Sequence, residues 1–214
     1  MSSPYTIAQA IQAVRVLGND ASNSHRVFPD SLTYLVDGTR TVFPLANKNI
    51  VAGTNYIKDG GAYTSGDSLV TDFVNGLVTV SPAPAKTLEW YYFYQDFTDT
   101  EIQGFVDNAL GEFNMTETNL TTIPAMLYDS MQHFAAAQMD QVRAQRYAAS
   151  YNATIEGETF DKSDVYKAYI KSAQDHYETA KDKRSEYYKR PDRAVAASVI
   201  NTQSFTPLNN NPSR

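Results

Sequence analysis

The chain reads as an α+β protein: an antiparallel helical bundle, an inserted small antiparallel β module of sandwich or barrel-like form, and an extended C-terminal arm. Three observations predict this. Helical periodicity occupies both flanks of the first 190 residues. The period changes to that of strands in "VDGTRTVFPLANKNIV", Val36 to Val51, and returns to that of helices at Thr98. Residues 191–214 carry neither period.

Residues 5–18 open the chain as a helix, with Ile7, Ala10, Ile11, Val14 and Leu17 on one apolar face. Thr6 with Gln9 forms a capping box, and Gly18 supplies the stop. "NDASNSHR" reads as a polar loop. "FPDSLTYLV" reads as a short helical turn starting near Pro29, with Leu32, Leu35 and Val36 facing inward. Asp37-Gly38 is a turn signal. "TRTVFPLA" alternates like a strand, which Pro44 confines to an edge or a bulge. "TNYIKDGG" is a short strand and "AYTSGDS" a loop. "LVTDFVNGLVTVS" reads as two strands joined at Asn75-Gly76, the clearest hairpin signal in the chain. "LEWYYFYQDF" is an aromatic strand.

Helix returns with Thr98 and Glu101 as a second capping box, and Asp99 favours the positive end of the helix dipole. Ile102, Phe105, Val106, Ala109, Leu110 and Phe113 form its stripe. "NMTETNLTT" connects to a long helix over about 123–150, with Leu127, Met131, Ala135, Met139 and Val142 inward. "YNATIEGETFDKS" leads to a last helix over 164–189, lined by Val165, Tyr169, Ala173, Tyr177, Ala180 and Tyr187 and stopped by Pro191.

A helix of ~14 residues is marginal alone, so the two helical flanks must cover each other. The domains are then a discontinuous bundle, 1–36 with 97–190, a β module inserted at 37–96, and an arm at 191–214. The arm keeps Val199, Ile200, Phe205 and Leu208, apolar residues that a merely solvating tail lacks. It reads as a segment that orders on a partner.

Composition narrows the function. The 214 residues are 42% hydrophobic and 20% charged, which fits a folded chain. A net charge of -6 speaks against a general nucleic-acid binder. With no cysteine there are no disulfides, thiolate metal sites or cysteine nucleophiles. No basic leader with a long apolar run opens the chain, and no stretch reaches the ~18 apolar residues of a membrane span, so no membrane partner is expected. Tyrosine stands out with 15 copies, a residue suited to half-buried surfaces and interfaces.

The search for chemistry is mostly negative. His25, His133 and His176 each stand alone, and no pair has the helical spacing of a zinc site. No phosphate-binding or nucleophile motif occurs. Asp96, Asp99 and Glu101 cluster at a strand–helix junction, where capping accounts for them better than a catalytic carboxylate pair. The basic run "KDKRSEYYKRPDR" is interleaved with acids and reads as a salt-bridged helix surface, with Lys181, Lys183 and Arg184 the candidates for contact with DNA in a channel. In "EWYYFYQDF", Trp90, Tyr92 and Tyr94 share one face and Tyr91, Phe93 and Gln95 the other. Bulk on both faces suggests core on one and interface on the other. The expectation is a non-enzymatic protein with no catalytic residue, cofactor or metal. Its subunit contacts are expected at Trp90, Tyr92, Tyr94, Tyr169, Tyr177 and Tyr187.

The stretch "IAQAIQAVRVLGNDASNSHRVFPDSLTYLVDGTR" resembles the opening of head–tail connector proteins of tailed bacteriophages, a helix followed by "NDxxxxRFxDxxLxxxL". Asn19-Asp20, Arg26, Phe28, Asp30 and Leu32 match, with Val27 and Pro29 as variations. "DGTRTVFPLANKNIV" and "FVNGLVTVSPAPA" are similar to a strand module that some of these proteins carry. "YYFYQDFTDTEIQGFVDNAL" and "VYKAYIKSAQDHYETAKDKRSEY" look like their aromatic strand with its acid-capped helix and their last helix. The β module at 37–96 departs from the minimal, all-helical members. The resemblance implies a structural protein of the virion neck, made in the host bacterial cytoplasm. It would form a ring of about twelve copies under the portal protein, at the genome exit and against tail or neck proteins. The arm residues Val199, Ile200, Phe205 and Leu208 would dock on the portal, and genomic DNA would be touched in transit. The alternative is a tail-fibre or receptor-binding module that engages a glycan through Trp90 and its neighbours.

Overall fold

The computed structural model describes residues 5–21, 25–31, 37–59, 62–84, 88–149 and 163–190. Among these residues the helices are α1 (Ile7–Leu17), α2 (Asp99–Gly111), α3 (Ala125–Ala149) and α4 (Ser163–Lys189). The strands are β1 (His25–Ser31), β2 (Val42–Pro44), β3 (Tyr56–Asp59), β4 (Thr64–Ser65), β5 (Val70–Asp72), β6 (Leu77–Thr79) and β7 (Leu88–Tyr94). The fold is α+β, with an antiparallel sheet ordered β1-β7-β3-β4 and a second ordered β2-β6-β5.

Local signals set the helix starts. Thr6 Oγ1 accepts from Gln9 N while Gln9 Oε1 accepts from Thr6 N, and Thr98 and Glu101 repeat the exchange at α2. Gly18 ends α1, but for closeness rather than for a left-handed backbone: a Cβ there would lie 1.6 Å from Met139 Cε. The left-handed residue is the next one, Asn19, with φ 52°. Asp37 builds its turn through side-chain chemistry, accepting from Thr39 N and Arg40 N at 2.8 and 2.7 Å. Those donors favour the carboxylate and hold its pKa down to about 2.

Two apolar cores form. One joins Ala10 and Val14 of α1 to Ile102, Val106 and Leu110 of α2 and to the α3 stripe Leu127, Met131, Ala135 and Met139. Each large aliphatic side chain so buried contributes about 1.5–3 kcal/mol. The other core packs Phe43, Ile57, Val78, Leu88, Trp90 and Tyr92 between the sheets. Residues 49–51 lace the sheets together: Ile50 N donates to Phe73 O and Val51 N to Phe93 O, at 2.8 and 2.9 Å. Pro44 does lie in an edge strand, and β5 and β6 do form the hairpin around Asn75-Gly76.

One part of the sequence reading is overturned. Residues 25–31 are a strand, not the end of a loop and a helical turn near Pro29. β1 pairs with the aromatic strand β7 from His25↔Tyr94 to Ser31↔Glu89. Its register slips between Val27 and Asp30, so Pro29 sits at an irregularity of an edge strand, where a missing N–H costs no ladder bond. The β module therefore takes in residues N-terminal to Asp37. Leu32, Leu35 and Val36 lie outside the described residues. "AYTSGDS" also holds more structure than a loop, with β4 and a 3-10 turn at Asp67–Leu69.

α4 runs antiparallel along α3, and their seam is polar. Lys183 pairs with Asp129, Ser130 Oγ donates to Ala180 O at 2.7 Å, and Ser172 Oγ donates to Asp140 Oδ2 at 2.6 Å. Tyr169 stacks on Tyr147 at 5.4 Å.

Candidate functional site at the joint between bundle and β module

The chain leaves the bundle after α1 and comes back from β7 into α2. Both crossings meet at one cluster of charges. Asp20, fully buried, accepts from Asp96 N at 2.7 Å and from Phe97 N at 3.3 Å, which fixes the return just ahead of α2. Arg15, on α1, reaches Asp20 Oδ2 at 2.8 Å and Asp99 Oδ1 at 2.7 Å. Arg143, on α3, reaches Asp96 Oδ2 at 2.7 Å, Asp140 Oδ1 at 3.0 Å and the carbonyl of Gly18 at 2.7 Å. Its Nη2 lies 3.7 Å from Asp20 Oδ1.

Arg15 and Arg143 are buried almost completely, so their charges are tolerable only because several carboxylates and a carbonyl surround them. Aromatic faces complete the site: the Arg143 guanidinium lies 5.0 Å from the Tyr169 ring and 5.4 Å from Phe97. Burial raises the Tyr169 hydroxyl to about 12, so it remains neutral. Burial also raises the Asp140 carboxyl, against the pull of Ser172 and Arg143.

At the solvent edge Arg146 donates to Glu101 Oε1 at 2.6 Å and to Asp96 O at 2.7 Å. Glu101 is held below the ordinary carboxylate range. Partial burial opposes this, but the Thr98 N–H and Arg146 outweigh it. Outside this edge opens a cleft of about 500 Å³, lined by Asn47, Lys48, Asn49, Gln95, Glu101 and Arg146.

Asp96, Asp99 and Glu101 are thus each engaged by an arginine, and the arrangement locks two parts of the chain together. What the sequence reading missed are the arginines. A signal existed: the spacing Leu127, Met131, Ala135, Met139 lands next on Arg143, a charge on a buried stripe.

The other candidates fall in different places. Trp90 and Tyr92 are fully buried in the β core, so they are corrected from subunit-contact residues to core residues. Trp90 accordingly offers no ring face to a glycan. Tyr94 is half-buried beside the cleft. Tyr177 packs on Phe134 at 5.5 Å and Tyr187 on Tyr188 at 5.1 Å. Of the proposed DNA contacts, Lys183 is taken by Asp129, and Arg184 lies 5.0 Å from the Phe113 ring. Lys181 is exposed beside Tyr177. Val199, Ile200, Phe205 and Leu208 lie outside the described residues. His133 and His176 do not stand alone: their Nδ1 atoms are 3.0 Å apart, across α3 and α4.

No group of three or more His, Asp or Glu residues able to hold a metal ion occurs among the described residues. Nor is any described helix long and apolar enough to cross a membrane. Compared with protein-family models, curated proteins and solved structures, the chain matches none.

Proposed function

We propose that this chain is a head–tail connector of a tailed bacteriophage, a structural subunit of a ring that joins the portal to the tail around the genome exit. The observation that carries the reading is Asp20. It belongs to the Asn19-Asp20 … Arg26-x-Phe28-x-Asp30 pattern that resembles the opening of connector proteins, and its side chain is fully buried at the joint. A residue of that pattern therefore ties α1 to the Asp96–Phe97 turn, so that bundle and β module act as one stiff body. Stiffness of this kind suits a subunit that must hold its place in a closed ring.

In this reading the arm, with Val199, Ile200, Phe205 and Leu208, docks on the portal protein. Neighbouring subunits meet through half-buried tyrosines such as Tyr94 and Tyr187. Lys181 is the remaining candidate for passing DNA. A chain truncated after Arg190 is expected to keep its circular dichroism and thermal transition but to lose binding to the portal protein. Equal binding by truncated and full chains would overturn the docking role of the arm. Failure of the full chain to bind any portal or tail component would overturn the connector reading itself.

A further inference from the structure

The α3–α4 seam holds one polar pair unlike its neighbours. His133 Nδ1 and His176 Nδ1 are 3.0 Å apart, with ring centroids at 5.2 Å and ring planes tilted by 40°. The His133 side chain is only 14% exposed. At this separation one nitrogen must carry hydrogen and the other a lone pair. A neutral pair meets that condition. So does a pair with one added proton, which enters at the outer Nε2 of the donor ring and leaves the shared hydrogen in place. A second proton puts hydrogen on both facing nitrogens and sets two like charges side by side, partly out of water.

The surroundings do little to relieve that repulsion. Asp129, on α3, lies 3.9 Å from His133 Nε2 but is already paired with Lys183 of α4. Asp140, on α3, interacts with His176 but is held by Arg143 and Ser172. At the C-cap of α2, Glu112 lines a small cavity with Phe134 and Tyr177, the chain neighbours of the two histidines. The single charged residue of α1, Arg15, is bound to Asp20 and Asp99.

We propose that His133 and His176 form a proton-operated latch between α3 and α4, closed while the pair holds at most one added proton and open when both rings are charged. The direction of its pH dependence follows from His133. Burial first, and then the neighbouring His176, depress its pKa from the ordinary value of 6.5. The folded chain therefore binds fewer protons there than the unfolded chain. The latch's contribution is present above about pH 6.5 and is lost as pH falls through the lower, folded-state value. Ser130 and Ser172 carry no charge to lose in that range; the Asp140 carboxyl, raised by burial, also faces the seam, and substitution of His176 separates its effect from that of the histidine pair.

Amide hydrogen exchange of the full chain, corrected for intrinsic rates, tests this between about pH 7.5 and about pH 5. Protection of α4 around His176 is expected to fall about tenfold more than that of α2. In His176→Gln, α4 protection is expected to follow α2 throughout. Parallel behaviour of α4 and α2 in the unmodified chain would overturn the latch, as would an unchanged pH dependence in His176→Gln. Should that variant not fold, ring-proton NMR of the unmodified chain decides: His133 is expected to titrate below the ordinary histidine range, and a midpoint within that range overturns the proposal.

Discussion

The joint and the α3–α4 seam both put polar side chains where a helical bundle would ordinarily put leucine, and they do it with opposite chemistry. At the joint the cations are guanidinium groups, charged at any pH at which the chain is folded, and each is ringed by carboxylates. In the seam the central pair is two imidazoles, whose charge depends on pH. The first arrangement keeps its cations through the pH range in which imidazoles titrate. The second changes its charge there. The difference shows how one bundle can hold its inserted β module rigidly while leaving its last helix open to release.

Substitutions can break or sharpen this contrast. The largest effect is expected at Arg143→Met, which takes the cation from Asp96 and Asp140 while Asp20 keeps Arg15, and should cost about 3–5 kcal/mol in urea denaturation. A loss below about 1 kcal/mol would mean that the joint is not held by charge. Gly18→Ala is next. It pushes a methyl group into the buried end of Met139 beside the carbonyl that Arg143 binds, and should cost about 1–3 kcal/mol. An unchanged midpoint would show that the flexible end of Met139 yields to the methyl group.

Thr98→Ala removes the cap that starts α2 and should cost about 1 kcal/mol by the same measurement. Glu101→Gln keeps an acceptor for the Thr98 N–H of the capping box but loses the charge paired with Arg146 at the solvent edge, so about 0.5 kcal/mol is expected. Because the Glu101 carboxyl is depressed in the folded chain, its small contribution is present above the ordinary glutamate pKa and fades as pH falls through the folded value. In a pH series of melting temperatures, Glu101→Gln should converge with the unmodified chain in acid. A constant difference down to acid pH would place its role elsewhere.

What could be read from the sequence was what is local. Both capping boxes, the Asn75-Gly76 hairpin and the demotion of β2 by Pro44 depend on residues a few positions apart, and all appear where the patterns put them. What could not be read depends on distance along the chain. Arg15 meets Asp99 across 84 residues, Arg143 meets Asp96 across 47, and the two histidines meet across 43. β1 is the same lesson in backbone form. Alone, "HRVFPDS" with its central proline is a poor strand, and it becomes one because β7 offers an edge to pair with. The alternation in β7 was legible, but not that Trp90 and Tyr92 would be covered entirely by their own module.

The central claim is that bundle and β module form one rigid subunit of a neck ring. Electron cryomicroscopy of virions carrying this chain tests it most directly. The account predicts a closed ring at the head–tail junction whose subunit density accepts α1–α4 and both sheets as a single body, without adjustment at the Asp20–Arg143 joint. Density for this chain at peripheral fibres, or a ring whose subunits need the β module swung away from the bundle, would contradict it.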